Sequence, residues 1–260
     1  MKTNAPKPSS AGADTGLRLN KAIAQAGLAS RRAADAMIQE GRVAVNGVVV
    51  TEPGTRIDPA ADAVTVDGAP LSKPATQSHA YLLCNKPVQV VSTARDPQGR
   101  RTVVDLLPRT FAGLRLYPVG RLDYFSEGLL LLTDDGEMTL RLTHPRYHLP
   151  KTYRVTVREE PSRAMLETMR RGMTLAEGEK LAPVEARLLP GKGFVLEMVL
   201  NQGINRQIRR MCRDLGLTIL RLVRTDIGPL HLGDLAPGAV RELSQNELTA
   251  LKKAVGLRSS

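Results

Sequence analysis

One carboxylate in this chain stands where chemistry is easy to arrange. Asp123 lies in Gly120-Arg121-Leu122-Asp123-Tyr124-Phe125-Ser126-Glu127-Gly128, which runs directly into Leu129-Leu130-Leu131-Leu132-Thr133-Asp134-Asp135-Gly136. The leucine run is short enough for a buried strand and too short to cross a membrane. Asp123 therefore sits on a loop set against the edge of a hydrophobic core, and such loops are where catalytic groups concentrate. An ionised carboxylate can act as a nucleophile or as a general base. It can equally pair with Arg121, two residues earlier, or cap a turn, and spacing alone leaves these readings open. Glu127, four residues on, would make a glycosidase-like pair of carboxylates.

The elements that must position this loop are read from punctuation and periodicity. Tyr81 to Cys84 is a short strand stopping at Asn85-Lys86-Pro87, with Val88 to Ser92 resuming it. Arg95 to Arg101 is a basic loop, and Val103 to Leu107 a short helix. After the leucine strand come a helix over Met138 to Thr143, a strand over Thr152 to Val157 and a helix over Ala164 to Arg171. Further strands fall at Ala182 to Leu189, Phe194 to Leu200 and Leu217 to Ile227. Asn205 to Leu215 reads as a basic helix, with Arg206, Arg209, Arg210 and Arg213 at turn spacing, and Ser244-Gln245-Asn246-Glu247 is a capping box. Strands in runs broken by isolated helices indicate an α+β fold with a mixed, largely antiparallel sheet. No βαβ series with a glycine-rich phosphate loop is present, so no nucleotide cofactor is expected.

Upstream lies a smaller module at residues 17–72, between a disordered tail at 1–16 and a linker at 73–79; the larger domain spans 80–257. Leu19, Ala22, Ile23 and Ala26 recur at helical spacing, Ser30 caps a second helix, and Asn46-Gly47 between β-branched runs signals a hairpin. Arg31 and Arg32 open the second helix, where free backbone N–H groups suit a phosphate.

Charge narrows the partners. The chain of 260 residues carries a net +11 and only 3% aromatics, with no Trp. Most of the excess lies beyond residue 73. A polyanion is implied, and without a membrane-length apolar run nucleic acid is favoured. Two distant cysteines, Cys84 and Cys212, fit a reducing cytoplasm. His79, His144, His148 and His231 show no metal-ligand spacing with them, so no metal is expected.

Two resemblances follow from quoted blocks. Leu17-Arg18-Leu19-Asn20-Lys21, Gly27-Leu28-Ala29-Ser30-Arg31-Arg32-Ala33-Ala34 and Gly41-Arg42-Val43-Ala44-Val45-Asn46-Gly47 resemble the alpha-L RNA-binding domain. That resemblance implies RNA contact through Lys21, Arg31 and Arg32. Four later blocks together resemble the ribosomal small-subunit and large-subunit type of pseudouridine synthases. They are Asn85-Lys86-Pro87, the Asp123 stretch, Lys151-Thr152-Tyr153-Arg154-Val155 and Gly203-Ile204-Asn205-Arg206-Gln207-Ile208-Arg209-Arg210-Met211. Ile204 departs from the family pattern, where an arginine is usual.

The resemblance implies isomerisation of uridine to pseudouridine in ribosomal RNA, without cofactor. Asp123 would attack C1′ or act as a base at C2′, and the sequence does not choose between them. Arg209 would pair with Asp123, and Tyr153 would stack on the target base and help remove the C5 proton. Ile208 would close the pocket beside Tyr153. Arg121, Arg206, Lys86, Arg95, Arg100 and Arg101 would contact RNA. The loop from Asp96 to Asp105 is most similar to the subgroup acting on large-subunit (23S) RNA, with small-subunit (16S) RNA as the alternative substrate. A monomer is expected. The rival readings are a non-catalytic ribosome-assembly factor and a glycoside or nucleoside hydrolase.

Overall fold

The computed structural model describes residues 16–72, 79–147 and 149–257. The expected tail and linker lie outside the described residues, apart from Gly16 and His79. The chain divides into two compact units between Ser78 and His79. No helix among the described residues is long and apolar enough to cross a membrane.

In the first unit, α1 (Leu19–Gln25) packs on α2 (Arg31–Gln39). The Asn20 amide donates to both carboxylate oxygens of Asp35, at 2.9 and 3.0 Å, and locks the pair. Ser30 caps α2 by accepting from the Ala33 N–H at 3.2 Å. Leu19, Ile23, Ala34 and Ile38 bury one helical face against Val43, Val45, Val64 and Val66 of a four-stranded sheet. Its hairpin turns at Asn46-Gly47, as expected from the sequence.

The second unit is built on one sheet. In chain order its main elements are β1 (Tyr81–Lys86), β2 (Glu127–Thr133), α3 (Gly136–Thr143), β3 (Lys151–Val157), α4 (Arg163–Arg171), β4 (Glu185–Leu188), β5 (Phe194–Leu200), α5 (Gln207–Asp214), β6 (Ile219–Ile227), β7 (Val240–Glu242) and α6 (Gln245–Ala254). The strand order is β4-β5-β3-β6-β2-β1-β7. Every pairing along it is antiparallel except β6 with β2, which is parallel.

The leucine run does not alternate because β2 is covered on both faces. Leu129 and Leu131 join Met138 and Leu142 of α3, Leu251 of α6 and Val255 just after it. Leu130 and Leu132 join Val90, Val103, Leu116 and Leu122 on the other side. On that same side, α4 and α5 cover the β3–β6 half with Met169, Ile208, Met211 and Cys212. Each fully buried leucine contributes about 1.5–3 kcal/mol, so β2 is a firm base for the loop that precedes it.

Three differences from expectation bear on the site. β1 continues through Asn85 and Lys86, because Asn85 finds partners in the Leu235 carbonyl (2.6 Å) and the Ala239 and Gly238 backbones, and Lys86 pairs with Gly128. Val88 to Ser92 is not a resumed strand; it forms a loop with one bridge from Val91 to Thr102. α5 begins at Gln207 rather than Asn205, because Arg206 adopts φ 50°, which a right-handed helix cannot include.

Candidate active site

The Asp123 loop is fastened on both sides of the carboxylate. Ser92 Oγ donates to the Leu122 carbonyl at 2.8 Å and accepts from the Leu122 N–H at 3.1 Å. The Gln89 N–H donates to the Tyr124 carbonyl at 2.7 Å, and the Ser126 N–H closes a turn onto the Asp123 carbonyl at 3.0 Å. Residues 86–92 therefore form a cradle for the loop. Sequence reading assigned no role to Ser92 or Gln89, since their partners are backbone atoms thirty or more residues away.

Arg209 reaches this loop from α5. Its Nε lies 3.6 Å from Asp123 Oδ2, an ion pair rather than a direct hydrogen bond. Its Nη2 donates to the Phe125 carbonyl at 2.7 Å and to Ser126 Oγ at 3.0 Å. The guanidinium is thus oriented by the loop itself, with one edge presented to the carboxylate. Burial lowers the Arg209 pKa, and Asp123 opposes that shift. The other arginines of the helix, which the sequence shows only as a basic face at turn spacing, are held by carboxylates. Arg210 pairs with Glu177 and Glu179, and Arg213 with Glu177 and Asp214. These bonds fix the outer face of α5, while Arg209 is turned to the Asp123 loop.

A single row of cross-strand partners carries the rest: Met198, Tyr153, Arg224, Gly128, Lys86. Opposed residues in a sheet share a face. Tyr153 packs against both the cluster holding Ile208 and the cluster holding Leu122, so it sits where the supports of Arg209 and Asp123 meet. Ile208 is 5% exposed and serves as wall. Arg224 is buried, donates from Nε to the Leu129 carbonyl at 2.8 Å, and has a buried Nη2 without a partner among the described residues. It was missed because an arginine in an alternating strand reads as solvent-facing.

Lys86 corrects the sequence reading. Expected on a loop touching RNA, it is fully buried. Its Nζ donates to the Pro87 and Val90 carbonyls, both at 2.8 Å, and so knots the cradle. Burial pushes its pKa down from 10.5 to about 8, against the pull of Cys84, Asp123 and Glu127. Below pH 8 the ammonium is charged in both folded and unfolded states, and above 10.5 it is neutral in both. Between them the unfolded chain binds the extra proton, so stability rises with pH, by roughly 3 kcal/mol over the full window. Urea unfolding should show the wild type gaining on Lys86→Met between pH 8 and 10.5. A difference that stays flat would mean that Nζ is solvated.

The remaining basic candidates lie outside this row. Arg121 is exposed and has no ion-pair partner among the described residues; it is not the partner of Asp123. Arg100 is held by Asp96 through Nε (3.0 Å) and Nη2 (2.9 Å), which brings that carboxyl down to about 2. Arg95, Arg101 and Arg206 are exposed. Glu127 is clamped by the Arg221 fork at 3.1 and 2.9 Å, so it does not form a working pair with Asp123. In the first unit Lys21 is half-buried, and Arg31 and Arg32 are exposed at the start of α2.

Comparison with known proteins shows the family. The model of the RNA pseudouridylate synthase family matches residues 80–214, and that of the S4 domain residues 17–63. An RNA pseudouridine synthase of Mycobacterium tuberculosis is 47% identical over 247 residues, 93% of this chain and 95% of that one. The ribosomal large subunit pseudouridine synthase B of Bacillus subtilis is 40% identical over 239 residues, 90% of this chain and 95% of that one. A crystal structure of a pseudouridylate synthase aligns with a TM-score of 0.65 at 30% identity, covering 90% of this chain and 99% of the other. With a carboxylate, a guanidinium and an aromatic ring gathered from three separate segments in the matched region, this chain belongs to the RNA pseudouridylate synthase family.

Proposed function

We propose that the protein isomerises a uridine of large-subunit ribosomal RNA in the cytoplasm, acting as a monomer, with Asp123 as the catalytic carboxylate. The observation that carries this reading is the Asp123–Arg209 ion pair on a loop braced from both sides. In the reaction the N1–C1′ bond breaks, the uracil turns while held, C5 bonds to C1′, and the C5 proton is lost as N1 gains one. Atoms balance without redox change. Asp123 serves either as nucleophile at C1′ or as base at C2′, and both roles need an ionised carboxylate beside the ribose. Arg209 supplies the adjacent positive charge. Tyr153 offers its ring to the extruded uracil, for which stacking contributes about 1–3 kcal/mol. The similarity to large-subunit enzymes and the Asp96 to Asp105 loop support the choice of RNA.

The test is tritium release from ribosomal RNA labelled at uridine C5, with pseudouridines mapped in a deletion strain. Release by the wild type and loss of one large-subunit pseudouridine are expected. No release where another synthase works would sink the reading, and loss of a small-subunit pseudouridine would move the substrate. Free uracil as product would indicate a hydrolase.

The S4 domain is expected to hold RNA through Lys21, Arg31 and Arg32. Converting both Arg31 and Arg32 to glutamine should lower the slope of log affinity against log salt by about 1.4–1.8, two phosphates' worth. An unchanged slope would place these arginines away from the backbone.

A further inference from the structure

Phe125 follows Asp123 by two residues and is 62% exposed, more than any other large hydrophobic side chain among the described residues. The other two phenylalanines, Phe111 and Phe194, pack against cores. Phe125 forgoes that burial, although apolar surface is driven out of water.

The ring is not on a loose tip. Its own carbonyl accepts from Arg209 Nη2, the preceding carbonyl accepts from the Gln89 N–H, and the following Ser126 is 2% exposed. Phe125 meets Tyr124 edge-to-face, with centroids 5.1 Å apart and planes at 80°. Such a contact occupies at most one face of a ring. Val88, 43% exposed, precedes the Gln89 that holds Tyr124, so the cradle also carries an exposed apolar side chain.

For Asp123 to reach a ribose carbon, the target nucleotide must leave its stack. The base beside it then loses a stacking partner. Two residues of chain span at most about 7 Å, so a rigid aromatic face at position 125 lies within reach of that neighbour. Every base offers a π-face, so an aromatic ring can replace the lost stack without reading its identity.

We propose that Phe125 is a stacking site for the nucleobase flanking the target uridine. The proposal rests on the RNA-isomerase reading above and adds a contact to it. Held at the mouth of the site, the ring stabilises the extruded state, so its contribution appears in RNA affinity and KM more than in kcat at saturating RNA.

The probe is a hairpin of ribosomal RNA around the uridine mapped in the deletion strain, bound to the full chain. Phe125→Ala should raise Kd by about 5- to 100-fold, as expected for one base–aromatic stack. Phe125→Trp should restore most of the affinity. Hairpins with an abasic nucleotide on the 5′ or 3′ flank complete the cycle. One of them should weaken wild-type binding by a similar factor and weaken Phe125→Ala little further. A Kd for Phe125→Ala within twofold of wild type would overturn the proposal, as would penalties that multiply at both flanks. Failure of the underlying reading looks different: the wild type would then make no pseudouridine in any ribosomal RNA.

Discussion

Asp123→Asn is expected to lower single-turnover isomerisation by about a thousandfold or more, the upper part of the range for removing a group that takes or shares a proton or electron pair in the reaction. RNA affinity should change by less than about twofold. The amide is nearly isosteric but can neither accept a proton nor attack a sugar carbon. The loop should survive, because its anchors do not pass through the carboxylate. Ser92 grips Leu122, Gln89 grips Tyr124, and Arg209 grips Phe125 and Ser126. What is lost is a 3.6 Å ion pair whose carboxylate is 31% exposed, so a stability cost near 1 kcal/mol is expected. Single-turnover assays on the mapped hairpin, filter binding and a thermal melt read the three quantities separately. A large loss of affinity, or a melt lowered as by a core mutation, would mean that the carboxylate is a structural brace and not the reacting group.

The local elements of the fold were legible because their causes are local. Ser30 caps α2, Ser244 and Glu247 form the expected capping box, and the leucine run forms β2. Asp123, Arg209 and Tyr153 were legible together only through resemblance to a family, since nothing in their individual spacing brings them to one place. The misreadings share one physical reason. Lys86 before a proline reads as an exposed loop cation, but its burial is decided by the Gly128 backbone across the sheet and by two carbonyls of its own loop. Arg210 and Arg213 lie on a helix that reads simply as basic, but Glu177 and Glu179 from another segment pair with them. Arg224 lies among alternating strand residues, and only the sheet order shows that it is buried beside Tyr153. Charge on one segment says little until the segment that faces it is known.

The second large effect is expected at a residue with no side chain. Gly128 holds φ 106°, and a Cβ built on it would run into the carbonyl oxygen, nitrogen and carbonyl carbon of Arg224. The atoms in the way are backbone, so no rotamer change relieves the contact. Gly128 opposite Arg224 is half of the β2–β6 pairing, the one parallel joint on the path of the sheet. It joins the half carrying Tyr153 and α5 to the half carrying Lys86 and the Asp123 loop. Gly128→Ala therefore adds an unfavourable backbone conformation to overpacking against main chain, together about 3 kcal/mol or more. The strands must part at the row that sets Tyr153 and Arg224 against the loop. A displacement near 1 Å is enough to cost about 10²-fold in rate, so kcat/KM should fall by that order even where the variant is fully folded. Gly136→Ala is the control, since its Cβ would meet only the Tyr117 hydroxyl at an ordinary 3.6 Å. At the start of α3 alanine should leave both melt and rate close to wild type. A Gly128→Ala protein that matched this control in urea unfolding and in turnover would show that β2 and β6 do not approach so closely, and that the carboxylate is not positioned through that joint.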